Sequence, residues 1–196
     1  MVTDDAGTLA LHGKKLEFGF SREAGARGVE VEAGYGLFDG LEVAVAAARM
    51  RAEGVRGQGF GLALKWVPLQ PEQGLSAGLR LDIGHERAGG ERAREVALTG
   101  LLSWRFANDI ALHANLGRRS VRAGGVRDRN SVWAGSVDLP LAGHWQLAVE
   151  AFGERGTRPG RQIGLRYQVH EEVTLSAAVG RADGARLASL GVAWEF

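Results

Sequence analysis

The sequence predicts an all-β fold, a closed up-and-down antiparallel transmembrane β-barrel of about twelve strands, and three observations carry that prediction. Apolar residues alternate with small or polar ones along nearly the whole 196-residue chain, the period-two signature of strands with one apolar face. The breaks between these runs are of two alternating kinds, one bare and one crowded with arginine. The chain ends on "GVAWEF", a patterned segment closing on an aromatic where the end of a soluble domain would fray.

The first run, "KKLEFGFS", puts Leu16, Phe18 and Phe20 on one face. "GVEVEAGYGLF" continues with Val29, Val31, Ala33, Tyr35 and Leu37, and "GFGLALKWV" with Phe60, Leu62, Leu64 and Trp66. Between them "LEVAVAAARM" is rich in alanine, which would also suit a helix; its neighbours require an antiparallel partner there, so it reads as a strand. "GLSAGLRLDIG" and "EVALTGLLSWRF" follow, then "IALHANLGRR", "SVWAGSVDLPL", "HWQLAVEAFGE", "RQIGLRYQVH", "EVTLSAAVGR" and "RLASLGVAWEF". Each run is about nine to eleven residues long, the length of a tilted membrane-spanning strand. Phe152 falls on the polar parity of its run, which predicts a bulge in the ninth strand. All four prolines (Pro68, Pro71, Pro140 and Pro159) fall between runs, where a missing N–H does no harm.

One set of breaks is short and free of arginine: "DG" at 39–40, "PLQPEQ" at 68–73, "AND" at 107–109, "AGH" at 142–144 and "EE" at 171–172. The other set holds every arginine except Arg80, Arg105 and Arg166. In an up-and-down barrel alternate connections share an end, so the molecule has one arginine rim and one bare rim. Tyr35, Trp66, Trp104, Phe106, Trp145, Tyr167, Trp194 and Phe196 lie on the apolar face at the bare-rim ends of their runs. Phe18, Phe20, Phe60 and Trp133 lie toward the other rim, and two belts of rings around an apolar band mark a membrane interface.

Composition narrows the function. The formal charge of +1 predicts no nucleic-acid partner, and the absence of cysteine excludes disulfides, thiol catalysis and zinc–thiolate sites. The thirty glycines concentrate on the polar face, where small residues fit the crowded inside of a curved barrel. No apolar stretch reaches the ~20 residues of a membrane helix. The opening "MVTDDAGTLALHGKK" is acidic where a signal peptide would be basic and then apolar.

These features resemble the bacterial outer-membrane β-barrel family, whose pattern includes a last strand of alternating apolar residues ending in Phe. The resemblance covers about Leu11 to Phe196. "EAGYGLFDGLEVAV" and "GLRYQVHEEVTLSAAVGR" also resemble small barrels assigned to transport in phenol meta-degradation operons. The resemblance implies a single barrel domain over 1–196, with residues 1–10 as a lead-in on the periplasmic side. It implies residence in the bacterial outer membrane after removal of a signal peptide, and insertion by the barrel-assembly machinery. Its partners are then the lipid bilayer and, beside the arginine rim, phosphorylated lipopolysaccharide, whose phosphates guanidinium binds bidentately.

Inward parity falls to Glu17, Glu30, Glu32 and Glu42 with Glu195 on one side, and to Lys65, Arg80, Arg105 and Arg166 with Asp82 on the other; Glu150 also points inward. An acidic wall facing a basic wall suits a narrow, selective pore for small solutes. The same charges could instead pair across the lumen and plug it, leaving a structural barrel. A lipid hydrolase is the third class: Ser103 and His113 face each other across the 107–109 hairpin, but no third residue orients the histidine. His12, His85, His113, His144 and His170 lack metal-ligand spacing, so no catalytic residue, metal or cofactor is expected.

Overall fold

The structure, a computed structural model, describes residues 2–196. Twelve antiparallel strands form one closed barrel in chain order: β1 (Lys14–Glu23), β2 (Ala26–Phe38), β3 (Leu41–Ala52), β4 (Val55–Leu69), β5 (Gly74–Ala88), β6 (Glu91–Arg105), β7 (Ala111–Ala123), β8 (Val126–Pro140), β9 (Trp145–Glu154), β10 (Gly160–His170), β11 (Val173–Ala182) and β12 (Ala185–Glu195). The alanine-rich "LEVAVAAARM" is part of β3, paired on both sides. Each strand is satisfied by its neighbours, so local helix propensity loses to the ladder.

Closure joins β12 to β1, with Trp194 opposite Leu16 and Val192 opposite Phe18. The terminal residue completes the seam: Phe196 N–H donates to the Lys14 carbonyl at 2.9 Å, and Lys14 N–H donates back at 2.8 Å. A closed ladder leaves no unpaired edge, the condition for strands in hydrocarbon. The outer face is apolar, with Phe18, Phe60, Leu62, Leu98, Leu116 and Leu190 between 46% and 69% exposed. A continuous apolar surface on this scale belongs against lipid.

Two expectations are corrected. The strands run from 10 to 15 residues rather than nine to eleven, with β4, β5, β6 and β8 at 15. Their extra length consists of the arginine-rich segments, most of which are the ends of paired strands rather than loops. Five of these hairpins turn on two residues of positive φ: Ala24–Gly25, Glu53–Gly54, Gly89–Gly90, Gly124–Gly125 and Asp183–Gly184. Such mirror-image turns match the right-handed twist of the flanking strands. The arginine-rich segment "RRSVRAGGVRDRN" at 118–130 is accordingly the hairpin of β7 and β8.

No bulge occurs in β9, whose pairing with β8 and β10 is regular through Phe152. Phe152 is an inward aromatic, and its ring occupies the space beside Gly160, where an added Cβ would lie 2.5 Å from it. Register shifts fall instead at Gly36/Phe38, Trp66/Leu69 and Gln168/His170, all near the bare rim. At the bare rim the chain reverses at His12 and Gly13, and residues 2–10 lie inside the barrel.

The seam gives a direct test of the lipid-facing assignment. Leu190→Arg places a charge at mid-height on the outer face of the closing strand and should lower folding yield by the equivalent of about 2–4 kcal/mol. Deleting Phe196 should lower it through loss of both Lys14 hydrogen bonds. Heat-modifiable gel mobility in detergent reads the outcome, and an unaltered yield for Leu190→Arg would place this face outside the bilayer.

Candidate functional site: the lumen and the segment inside it

Strand parity fixes which side chains point inward. From the closing register, Lys15 and Glu17 share a face with Ala193 and Glu195, and Glu17 lies opposite Glu32. The same parity carries Glu42 opposite Lys65, Lys65 opposite Arg80, and Ser103 opposite His113. It likewise turns Glu30, Asp82, Arg105, Glu150 and Arg166 inward.

The N-terminal segment enters at the bare rim. Gly13 N–H donates to the Ala10 carbonyl and His12 N–H to the Gly36 carbonyl, each at 2.9 Å, with His12 at φ 66°. Gly36 makes room for this reversal: a Cβ there would lie 2.0 Å from the Ala10 carbonyl oxygen. From Leu9 upward the backbone has no ladder partner, and inward side chains supply acceptors instead. Leu9 N–H donates to Glu42 at 3.0 Å, Thr8 N–H to Gln70 at 3.1 Å, and Ala6 N–H to Ser103 Oγ at 2.7 Å. Asp4 N–H donates to Asn115 Oδ1 at 2.8 Å, and Asn115 Nδ2 returns a bond to the Asp4 carbonyl at 2.9 Å. Thr3 and Val2 N–H both donate to the Glu150 carboxylate at 3.2 Å.

Charge reinforces the docking. Lys65 Nζ lies 2.8 Å from Asp4 and 2.9 Å from Asp5, while Arg80 donates to Asp4 at 2.9 Å and to Asp82 at 2.8 Å. Burial alone would raise the Asp4 carboxyl, but the Lys65 and Arg80 cations outweigh it and hold that carboxyl below its ordinary range. Beneath the ion pairs Ala6 packs with Val67 and Leu101, which are 0% and 1% exposed. The lumen is therefore dry at this point on its β4–β6 side.

The two walls expected from the sequence do not simply confront each other. Arg80 reaches Glu32 only at 3.9 Å; the basic residues nearest it are neutralised by the Asp4 and Asp5 carboxylates on the inserted segment. Lys15 sits inside the acidic wall, 3.4–3.9 Å from Glu17, Glu32 and Glu42. Arg166 pairs with buried Asp138 and with Gln146, and Glu150 accepts from Gln162. Sequence reasoning missed Asp4, Asp5, Lys15, Asn115 and Asp138. The "DD" at 4–5 was the available signal: two adjacent acids opening a chain whose inner face carries unpaired bases.

Ser103 Oγ is 2.6 Å from His113 Nδ1. His113 Nε2 is 3.7 Å from Asp138, beyond hydrogen-bond reach, and Asp138 pairs with Arg166 instead. Ser103 also accepts the Ala6 amide, so the inserted segment covers it. A cavity of about 1230 Å³ runs along the lumen around the inserted segment, bordered by Thr3, Asp4, Glu17, Glu30, Arg105 and Phe152, and reaches Ser21 and Glu23 at the arginine-rim end of β1. Near its upper end Arg119 pairs with Glu154, which also accepts from Asn130 at 2.9 Å, with Glu95 at 4.0 Å.

Outside, six of the eight aromatics of the bare-rim ends cluster in pairs. Trp145 and Tyr167 have ring centroids 4.5 Å apart, Trp194 and Phe196 4.7 Å, and Trp104 and Phe106 6.3 Å. Tyr35 OH bonds His12 Nδ1 at 2.7 Å, and Trp66 stands alone, half exposed.

Known structures share this architecture. A KdgM porin matches with a TM-score of 0.68 and 13% identity over 93% of this chain and 99% of that one; the same porin has been solved in complex with disordered oligogalacturonate. A NanC porin matches with a TM-score of 0.60 and 12% identity over 92% and 98%. Outer membrane phospholipase A from Escherichia coli matches with 0.56 and 11% over 95% and 94%. At these identities the likeness establishes the fold, that of an outer-membrane β-barrel. No curated protein sequence matches the chain. By sequence, residues 12–190 match the profile described as Uncharacterised conserved protein UCP029691, and the chain belongs to that family.

Proposed function

We propose that the protein is a narrow outer-membrane channel for passive uptake of small polar solutes, constricted on its periplasmic side by its own residues 2–10. The observation that carries this reading is the charged cavity of about 1230 Å³ reaching the outer rim, around a segment held by side-chain bonds rather than by a ladder. The likeness to small porins supports it. Inward acids outnumber inward bases toward the arginine rim, where Glu30, Glu95 and Glu154 share the lumen with Arg119. That excess suits cations and zwitterions better than an anionic oligosaccharide. In this arrangement the eleven inward charges named from the sequence line the lumen, the eight aromatics mark the periplasmic interface, and the arginine ends stand outside.

A closed structural barrel is the second reading, favoured by the dry Ala6–Val67–Leu101 cluster. Lipid hydrolysis at Ser103 has the His113 contact in its favour, but Ser103 faces away from the bilayer under Ala6. Equal phospholipid turnover by purified protein and by Ser103→Ala would exclude it.

Deleting residues 2–10 should leave the barrel able to fold, since β1 starts at Lys14, and should raise single-channel conductance in a planar bilayer several-fold. It strands Lys65 and Glu150, so thermal stability should drop by about 1–3 kcal/mol for each buried charged partner lost. Conductance absent from both proteins would establish the closed barrel instead.

Replacing Arg80 and Arg105 with Gln should shift the reversal potential toward cations, most strongly at low salt where screening is weak. Because Arg80 also holds Asp4, the double variant should conduct more as well. Marked destabilisation with no current would again favour the plug.

A further inference from the structure

The arginines that distinguish the outer rim do not surround the mouth. All of them except Arg119 and the two in the β9–β10 connection, Arg155 and Arg158, have the parity of the lipid-facing side chains. Register places many directly opposite one another: Arg22 faces Arg27, Arg27 faces Arg51, and Arg51 faces Arg56. Further round, Arg87 faces Arg92, Arg94 faces Arg122, and Arg161 faces Arg181. Directly opposed like charges on neighbouring strands repel, so such a ladder requires counter-charge. The chain itself does not supply it. Among the described residues every ion pair uses Lys15, Lys65, Arg80, His113, Arg119 or Arg166, all inward.

The ladder sits directly above the apolar band. Arg49 is opposite Val29 and Gln58, while two residues lower Phe60 faces Ala47 and His85. Between β3, β4 and β5 the outer surface forms a hollow of about 380 Å³ lined by Arg49, Arg56, Gln58 and Arg87 with the Gly89–Gly90 turn. Three arginines and a glutamine thus border one hollow, two residues along β4 from the exposed, outward Phe60.

We propose that this hollow binds a phosphate-bearing lipid headgroup of the outer leaflet, and that the arginine ladder continues the same contact around the barrel. Guanidinium presents a planar donor fork that matches phosphate oxygens bidentately, and anions between opposed arginines remove their repulsion. The apolar residues below hold the acyl chains of the same molecule, which a free anion could not use. The proposal rests on the membrane placement of the barrel but not on conduction, because the hollow faces away from the lumen.

The test titrates the detergent-solubilised barrel with bisphosphorylated lipid A, with dephosphorylated lipid A and with inorganic phosphate, and reads bound lipid by native mass spectrometry. The phosphorylated lipid should bind roughly tenfold more tightly than the dephosphorylated one. Arg49→Gln/Arg56→Gln/Arg87→Gln should abolish that preference, while Lys at the three positions should retain part of it. Heat-modifiable mobility and conductance of the Gln variant should match the parent, showing an intact barrel. Equal binding of the two lipids would overturn the proposal, as would an unchanged preference in the Gln variant. Full displacement of the lipid by equimolar inorganic phosphate would reassign the hollow to a free anion and overturn the lipid assignment.

Discussion

Everything in this barrel depends on the need to pair each strand's backbone groups inside hydrocarbon, where no water can substitute. The β1–β12 seam meets that need, and the Phe196–Lys14 hydrogen bonds extend it to the last residue. Once the ring is closed, strand parity is fixed for the whole chain, since a one-residue slip anywhere would turn an apolar face into the lumen. The sorting of charge, the position of the aromatics and the route of the N-terminal segment all follow from that parity.

The inserted segment shows what the lumen does with backbone that has no ladder. Its amides are satisfied by Glu42, Gln70, Ser103, Asn115 and Glu150, side chains drawn from five different strands and connections. None of these contacts is a main-chain pair, so the segment can leave without disturbing a strand. Its carboxylates neutralise Lys65 and Arg80, which would otherwise be buried cations with few partners. The barrel and residues 2–10 therefore stabilise each other.

The fold was legible because period-two alternation is a local signal repeated in every strand, and even the ambiguous β3 was settled by its neighbours. Inward charges such as Glu42, Lys65 and Arg80 were legible for the same reason: parity needs no knowledge of distance. The pairing of those charges was not legible, because it depends on which strands face each other across the ring and on Asp4 and Asp5, which belong to no strand. Phe152 misled for a related reason. An aromatic on the polar parity suggested a shifted register, whereas the lumen beside Gly160 simply has room for a ring. The arginine segments resembled loops because a two-residue turn of positive φ leaves little trace beyond "AG", "EG", "GG" or "DG".

Those tight turns have an electrostatic consequence. Had the arginines lain in long loops, their side chains would point in all directions and the outer mouth would be cationic. Carried on strands, they obey parity and are directed outward, while Glu17, Glu30, Glu95 and Glu154 on the alternate positions are directed inward. The formal charge of +1 therefore conceals a radial separation, positive on the periphery and negative along the axis. An anion near the outer rim is drawn to the flank and away from the entrance, and a cation the reverse. At physiological salt the screening length is about 8 Å, shorter than the width of the barrel, so the two fields act separately. The proposed headgroup contact and the proposed solute path therefore draw on opposite faces of the same strands.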